Sequence, residues 1–421
     1  MSRDYPLKEL QQLVSEALMP SPLLSPRDGT PSVASTAAEI QTAAGDLAAG
    51  SGRFAVDTER ASGYRYDDRA FLIQIRRAGC GTRLIDPEGN SQAVISQCAP
   101  VVNNNDWVMH AAVSDLQCLA DLHIFPGSLF DTEMAGRLLG FERVNLASMV
   151  SRFLGYELKK EHGFQDWSTR PLPEAWLTYA ALDVELLFEL ADAQHESLRQ
   201  EGKLGWAQQE FDHIVSTYAI ATSATPKWQD LKGLAALKTP KQLAIARALW
   251  AHREQIAQKS DIARHIVLPD KALVGIAQVG PHSVERFRGI PAVPRRFHRH
   301  AHRWVNVVRQ TLKSPRESWP QSAKDPNDTG TMVASQYWAH QYPEAHTTLR
   351  RIREDLQQVA QEVNIPIENI LQPAALKQVV WWQHQESMIT TEVDLESALD
   401  RLQVRPWQRE LCQSVLSEHL L

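Results

Sequence analysis

At 421 residues the chain has room for two or three domains of ordinary size. With 43% hydrophobic and 22% charged residues it has the composition of a globular protein, and a net charge of -6 excludes holding a polyanion by bulk charge alone. Four scattered cysteines (Cys80, Cys98, Cys118, Cys412) without a C-x-x-C pair argue against structural zinc and for a reducing compartment, so the expected location is cytoplasmic. The first residues lack an apolar leader and no run is long enough to span a bilayer, so no membrane is expected as a partner.

Residues 1–34 read as an N-terminal extension, amphipathic at first and then Pro/Ser-rich and mostly irregular. A helix is expected over 36–48, followed by strands over 54–59, 70–76 and 83–85. The gaps between these strands are too short for crossover helices, which predicts an antiparallel meander. A helix over 93–101, a strand over 107–110 and a helix from 115 then add crossover units. The predicted fold of 35–222 is therefore α/β, a mixed sheet with a meander on one side. Further helices are expected over 132–139 and 146–154, then a polar loop, then one long helix over 173–199. From 223 onward the pattern is all-helical, divided into 223–318 and 319–421. These two parts share a weak repeat: Ile256, Ile262, Val267 and Ala272 correspond to Val359, Ile365, Ile370 and Ala375.

On the strand Phe54-Ala-Val-Asp-Thr-Glu, alternation puts Asp57 and Glu59 on one face. Two adjacent acids on a half-buried strand repel each other, a penalty that a divalent cation reverses. In the long helix, Trp176, Tyr179, Leu186, Leu187 and Leu190 share an apolar face with Asp183 in its middle. Tyr179 lies one turn before Asp183, which puts its hydroxyl over the same site. Asp115 follows a strand and opens a helix, with Ser114 and Gln117 spaced as a capping box. A helix dipole alone accounts for an acid there; its place after a strand of an α/β sheet favours a functional role.

Taken in order, these residues resemble the tyrosine branch of the DEDD 3′-to-5′ exonucleases, and ribonuclease D most closely. The motifs are Phe54-Ala-Val-Asp-Thr-Glu, Met109-His-Ala-Ala-Val-Ser-Asp-Leu and Tyr179-Ala-Ala-Leu-Asp-Val-Glu-Leu-Leu, supported by Phe130-Asp-Thr-Glu-Met-Ala and Asp166-Trp-Ser-Thr-Arg-Pro-Leu. The resemblance implies a ribonuclease H-like exonuclease domain followed by a helical HRDC domain over 223–318, with 319–421 as a second, divergent copy. It implies Asp57, Glu59, Asp115, Tyr179 and Asp183 as catalytic residues, the four acids holding two Mg2+ or Mn2+ ions. It also implies release of nucleoside 5′-monophosphates from the 3′ end of RNA, such as tRNA precursors, by a monomer. A DNA exonuclease of the same superfamily and an inactive nucleic-acid-binding scaffold are the alternatives. RNA contacts are expected from His110, from Lys159, Lys160, Trp167 and Arg170 around the polar loop, and from Arg295, Arg296, Arg299 and Arg303 in the densest basic run.

Overall fold

The computed structural model describes residues 20–158, 162–220, 226–322, 332–333 and 335–421. The chain forms two compact units: Met1–Glu59, Ala70–Ala221 and Met332–Leu421 make the first, Arg60–Arg69 and Thr222–Thr331 the second.

In the first unit the strands are β1 (Ser21–Leu23), β2 (Val33–Ala34), β3 (Ser51–Arg60), β4 (Ala70–Ala78), β5 (Gly81–Ile85), β6 (Asp106–Met109), β7 (Ser128–Asp131) and β8 (Tyr156–Leu158). Its first helices are α1 (Ala37–Ala49), α2 (Leu116–Ala120), α3 (Thr132–Leu138), α4 (Leu146–Leu154), α5 (Glu174–Glu185), α6 (Leu187–Gln200) and α7 (Leu204–Tyr218). A six-stranded mixed sheet runs β2-β5-β4-β3-β6-β7. β4 and β5 are antiparallel, as a short connection demands, whereas β6 lies parallel to both β3 and β7. This is the α/β architecture read from the sequence, with β3 in the interior of the sheet, flanked by β4 and β6.

The extension is more ordered than its composition suggested. β1 pairs in parallel with β8, and β2 pairs in parallel with β5. Between them Arg27 contacts Glu189 at 2.6 Å, and the Thr30 and Thr178 hydroxyls lie 2.7 Å apart. Proline and serine discouraged a strand assignment there, yet edge pairing tolerates proline.

The long helix expected over 173–199 is broken. Leu186 leaves helical geometry (φ -110°, ψ 8°), so α5 and α6 are separate rods with different partners. α5 packs on β4 and β5, whereas α6 packs on β6, α3 and α4. Trp176 and Tyr179 therefore do not share a continuous face with Leu187 and Leu190.

The second unit contains α8 (Pro240–Ser260), α9 (Arg264–Val267), α10 (Asp270–Val279), α11 (Val284–Arg288) and α12 (Ala301–Thr311) around its own apolar core. Its inserted segment is bound by Ala263 N–H donating to the Tyr64 carbonyl at 2.9 Å and the Tyr66 hydroxyl donating to Glu254 at 3.1 Å. Arg69 donates to Asp261 at 2.8 Å.

The last stretch holds α13 (Pro343–Glu362), α14 (Ile367–Ile370), α15 (Pro373–Glu386), α16 (Glu392–Arg401) and α17 (Pro406–Leu420). α13, α14 and α15 each begin 103 residues after α8, α9 and α10, which is the spacing of the repeat. This stretch is not a free-standing domain, however, because it packs onto the α/β part of the first unit. Trp206 stacks on Trp407 at 5.1 Å, and buried Glu210 accepts from Arg405 at 2.7 Å and from the Trp407 indole at 2.8 Å.

Candidate active site

The sheet delivers the first two acids. Phe54 and Val56 point into the main core and Ala55 into the cluster with Val184, so alternation carries Asp57 and Glu59 to the side where α5 lies. Packing of Ala55 beside Val184 brings the adjacent Asp183 to the same place. Carboxylate oxygens of Asp57, Glu59 and Asp183 all lie within 4.8 Å of one another. Glu59 is buried, and Asp57 and Asp183 are half-buried.

Such crowding opposes ionisation. Burial first, and then the Asp115 charge, push the Asp183 carboxyl above the usual range, although a hydrogen bond from Tyr179 opposes them. The Tyr179 hydroxyl is itself pushed up, by burial and then by the charges of Asp183, Glu59 and Asp57, so it stays protonated and donates to Asp183. Hard oxygen donors with unbalanced negative charge fit a magnesium or manganese ion, and no sulfur or imidazole ligand belongs to the set.

Asp115 stands apart from that triplet. It is buried at the head of α2, where Thr58 donates to its Oδ1 at 2.7 Å and Ser114 to its Oδ2 at 2.9 Å. No side-chain capping bond forms at this helix: the Ser114 hydroxyl serves the Ala111 carbonyl and Asp115 instead. Asp115 nonetheless lies close enough for its charge to act on Asp183.

The turn that carries Asp115 is held by a residue the sequence reading left without a role. Buried Asp131 accepts from Ala112 N–H at 2.8 Å, Ala111 N–H at 3.2 Å, Glu133 N–H at 2.8 Å and Met134 N–H at 3.1 Å. It caps α3 and fixes Ala111 in left-handed geometry (φ 60°). Burial pushes its carboxyl up to about 6, against the Met134, Ala112 and Ala111 N–H donors. Its position as an N-cap was the available signal, but which other turn it would clamp is a tertiary fact. His110 touches the Thr132 hydroxyl at 2.8 Å, and burial, followed by the Arg137 charge, lowers its pKa to about 4.

The expected RNA contacts fare unevenly. Trp167 is fully buried, 5.3 Å from the Trp176 ring and 6.4 Å from that of Tyr179, and so has no face to offer a base. Arg170 is committed to Asp86 at 2.5 and 2.7 Å and to the Phe71 carbonyl at 2.8 Å, which removes it as a phosphate ligand. Lys159 and Lys160 lie outside the described residues. Arg295, Arg296, Arg299 and Arg303 are all exposed in the second unit, but the aromatics between them, Phe297 and Trp304, are buried in its core.

A family described as 3′-5′ exonuclease matches residues 32–199, HRDC domains match 242–308, and a 3′ to 5′ exonuclease C-terminal domain matches 332–420. The ribonuclease D of Gluconacetobacter diazotrophicus is 32% identical over 194 residues, 45% of this chain and 48% of that one. The ribonuclease D of Nitrobacter hamburgensis is 32% identical over 229 residues, 53% and 59% of the two chains. The chain thus matches about half the length of these curated relatives. A protein from Bifidobacterium adolescentis superposes with a TM-score of 0.84 at 32% identity, over 95% of this chain and 99% of its own. Escherichia coli RNase D, 20% identical, shares the fold with a TM-score of 0.67 over 92% and 98% of the two chains. The chain thus carries a 3′-5′ exonuclease region, an HRDC domain and a 3′ to 5′ exonuclease C-terminal region in this order, and it is similar to the ribonucleases D.

Proposed function

We propose that the protein is a metal-dependent 3′-to-5′ exoribonuclease that trims tRNA precursors and other structured RNA, releasing nucleoside 5′-monophosphates. The observation that carries this reading is the triplet Asp57, Glu59 and Asp183 with the Tyr179 hydroxyl bonded to its last member. Asp57, Glu59 and Asp183, with Asp115 in support from its place beside Thr58, would hold two Mg2+ or Mn2+ ions. When bound, such cations would supply an activated water and neutralise charge on the attacking and leaving oxygens. Tyr179, kept protonated, orients the attacking water from above Asp183. Thr58 and Ser114 hold the Asp115 carboxylate in one rotamer, and Asp131 holds the turn beneath it.

Exposed Arg295, Arg296, Arg299 and Arg303 would hold the RNA backbone by charge, without base stacking from Phe297 or Trp304. The matching helix order and spacing support reading 319–421 as a divergent copy of the HRDC module. No helix among the described residues is long and apolar enough to cross a membrane, and the four free cysteines support a reducing, cytoplasmic setting. The test is degradation of RNA and DNA oligomers, with the 3′ end free or blocked, in magnesium or in EDTA. Shortening of 3′-free RNA alone, and only with metal, is expected; equal loss from blocked ends overturns the polarity, and equal loss of DNA overturns the sugar preference.

A further inference from the structure

The segment 20–34 runs along the helix that carries Tyr179 and Asp183. Its two ends are tied into sheets, β1 to β8 and β2 to β5. Between those anchors it meets α5 at two places. The Thr30 and Thr178 hydroxyls lie 2.7 Å apart. The Arg27 backbone N–H donates to Glu185 at 3.3 Å, and the Arg27 guanidinium reaches Glu189 at 2.6 Å. The Glu185 side chain is fully buried, with the Arg76 guanidinium of β4 3.0 Å from its other oxygen.

Thr178 and Glu185 are seven residues apart. At about 3.6 residues per turn they share one stripe of α5, about two turns long. Tyr179 and Asp183 fall between them in the chain and lie about 120° round the helix, where Asp183 meets Asp57 and Glu59. The segment thus grips α5 at both ends of the span that carries the hydroxyl and the carboxylate, and from a different side. The helix has no continuation to hold it, because Leu186 leaves helical geometry three residues after Asp183. Arg27 spans that break, engaging the last residue of α5 and, in Glu189, the first turn of α6.

A carboxylate that shares a cation with two others must be held to within about 0.5 Å, by residues that do not themselves touch the ion. We propose that Thr30 and Arg27 are positioning residues for hydrolysis. They set the rotation of α5 about its axis and its angle to α6, and through these the place of Asp183 and Tyr179 beside Asp57 and Glu59. This rests on the exoribonuclease reading of the site. One hydroxyl pair and one exposed ion pair add little to global stability, so their loss shows in the site rather than in the melt.

The test compares full-length wild type with Thr30→Val, Thr30→Ser and the double variant Arg27→Met with Thr30→Val. Calorimetric titration with Mn2+ in the absence of RNA reads the ligand set. Hydrolysis of a 5′-labelled dodecaadenylate RNA in saturating Mn2+ separates kcat from KM. The double variant is expected to bind Mn2+ about tenfold more weakly and to lose about tenfold in kcat, with KM almost unchanged. Thr30→Val should lose about threefold in each, and Thr30→Ser should regain the wild-type values. Thr391→Ala, which removes the side-chain cap of α16, should lower Tm and leave Mn2+ affinity and kcat unchanged. Wild-type Mn2+ affinity and kcat in the double variant overturn the assignment, and so does a loss that Thr391→Ala reproduces. If the double variant does not fold, Thr30→Val against Thr30→Ser decides. A wild type that binds Mn2+ without hydrolysing RNA overturns the nuclease reading, and the Mn2+ comparison still decides the positioning. A wild type without Mn2+ affinity overturns both.

Discussion

The Thr58 hydroxyl donates to the Asp115 carboxylate across 2.7 Å, tying the fourth acid to the strand that carries the first two. Thr58 points to the opposite face of β3 from Asp57 and Glu59, so one strand serves both halves of the carboxylate set. Thr58→Val keeps shape and removes the donor. It is expected to cost about 1–3 kcal/mol in urea unfolding. Turnover should fall by about tenfold or more through a loosened Asp115. Unchanged kcat with lowered stability would make the bond purely architectural.

Asp57→Ala and Asp183→Ala should reduce hydrolysis to background while RNA binding is retained. Removing one of three crowded acids also relieves repulsion in the metal-free protein. Asp183→Asn is therefore expected to raise stability in EDTA by about 1–2 kcal/mol. Added magnesium should raise the wild-type Tm and leave that of the variant unchanged. A destabilised Asp183→Asn in EDTA would contradict the repulsive arrangement.

Tyr179→Phe should slow the chemical step without loss of metal, because the hydroxyl donates to Asp183 and is not itself in the carboxylate triplet. Single-turnover kinetics and calorimetric titration with Mn2+ separate the two effects. Equal loss of metal affinity and rate would recast Tyr179 as a support for the ligand set.

The pH dependence of stability follows from His110, whose pKa falls to about 4 in the fold. A folded value below the unfolded one means stability is full above the unfolded value of about 6.5 and is lost as pH falls toward the folded value. Between pH 7 and pH 5 His110 alone is expected to cost about 2 kcal/mol, set against the opposite contributions of the raised Asp131 and Asp183 carboxyls, and His110→Gln should remove its share of the slope. Urea midpoints at the two pH values measure it, and an unchanged slope in the variant would exclude His110 as its source.

Ending the chain at residue 331 should cost the nuclease its cooperative unfolding, because Trp338, Ile352, Leu356 and Leu416 share one core with Phe54, Trp107 and Phe211. Glu210→Ala probes the same packing more gently. It leaves Arg405 half-buried without its acid, at an expected cost of about 3–5 kcal/mol. Near-UV dichroism and thermal melts follow both; a native-like melt of the shortened chain would show that the last helices are dispensable.

What could be read from sequence alone followed from local periodicity. Alternation along β3 separated Asp57 and Glu59 from Thr58, and helical spacing set Tyr179 over Asp183. The break at Leu186 was invisible because both halves are good helix formers and their different partners are set by tertiary packing. The burial of Trp167 and the commitment of Arg170 to Asp86 were also hidden, since composition marks a polar loop without saying which side chains fold back beneath it. Asp131 immediately precedes the helix expected over 132–139 and caps it, but its hold on Ala111 and Ala112 joins turns about 20 residues apart, beyond any local pattern.

The segment Arg60–Arg69 begins immediately after Glu59 and belongs to the HRDC-containing unit, where it supplies the partners of Glu254 and Asp261. That unit is therefore not a cassette. Transplanting residues 222–331 into another protein would carry over two acids stripped of the tyrosine and arginine that engage them, one of the acids buried. A graft that keeps these contacts would have to bring along the segment Arg60–Arg69 from within the first unit's sequence, so recombination at a single pair of boundaries does not suffice to exchange this module between proteins.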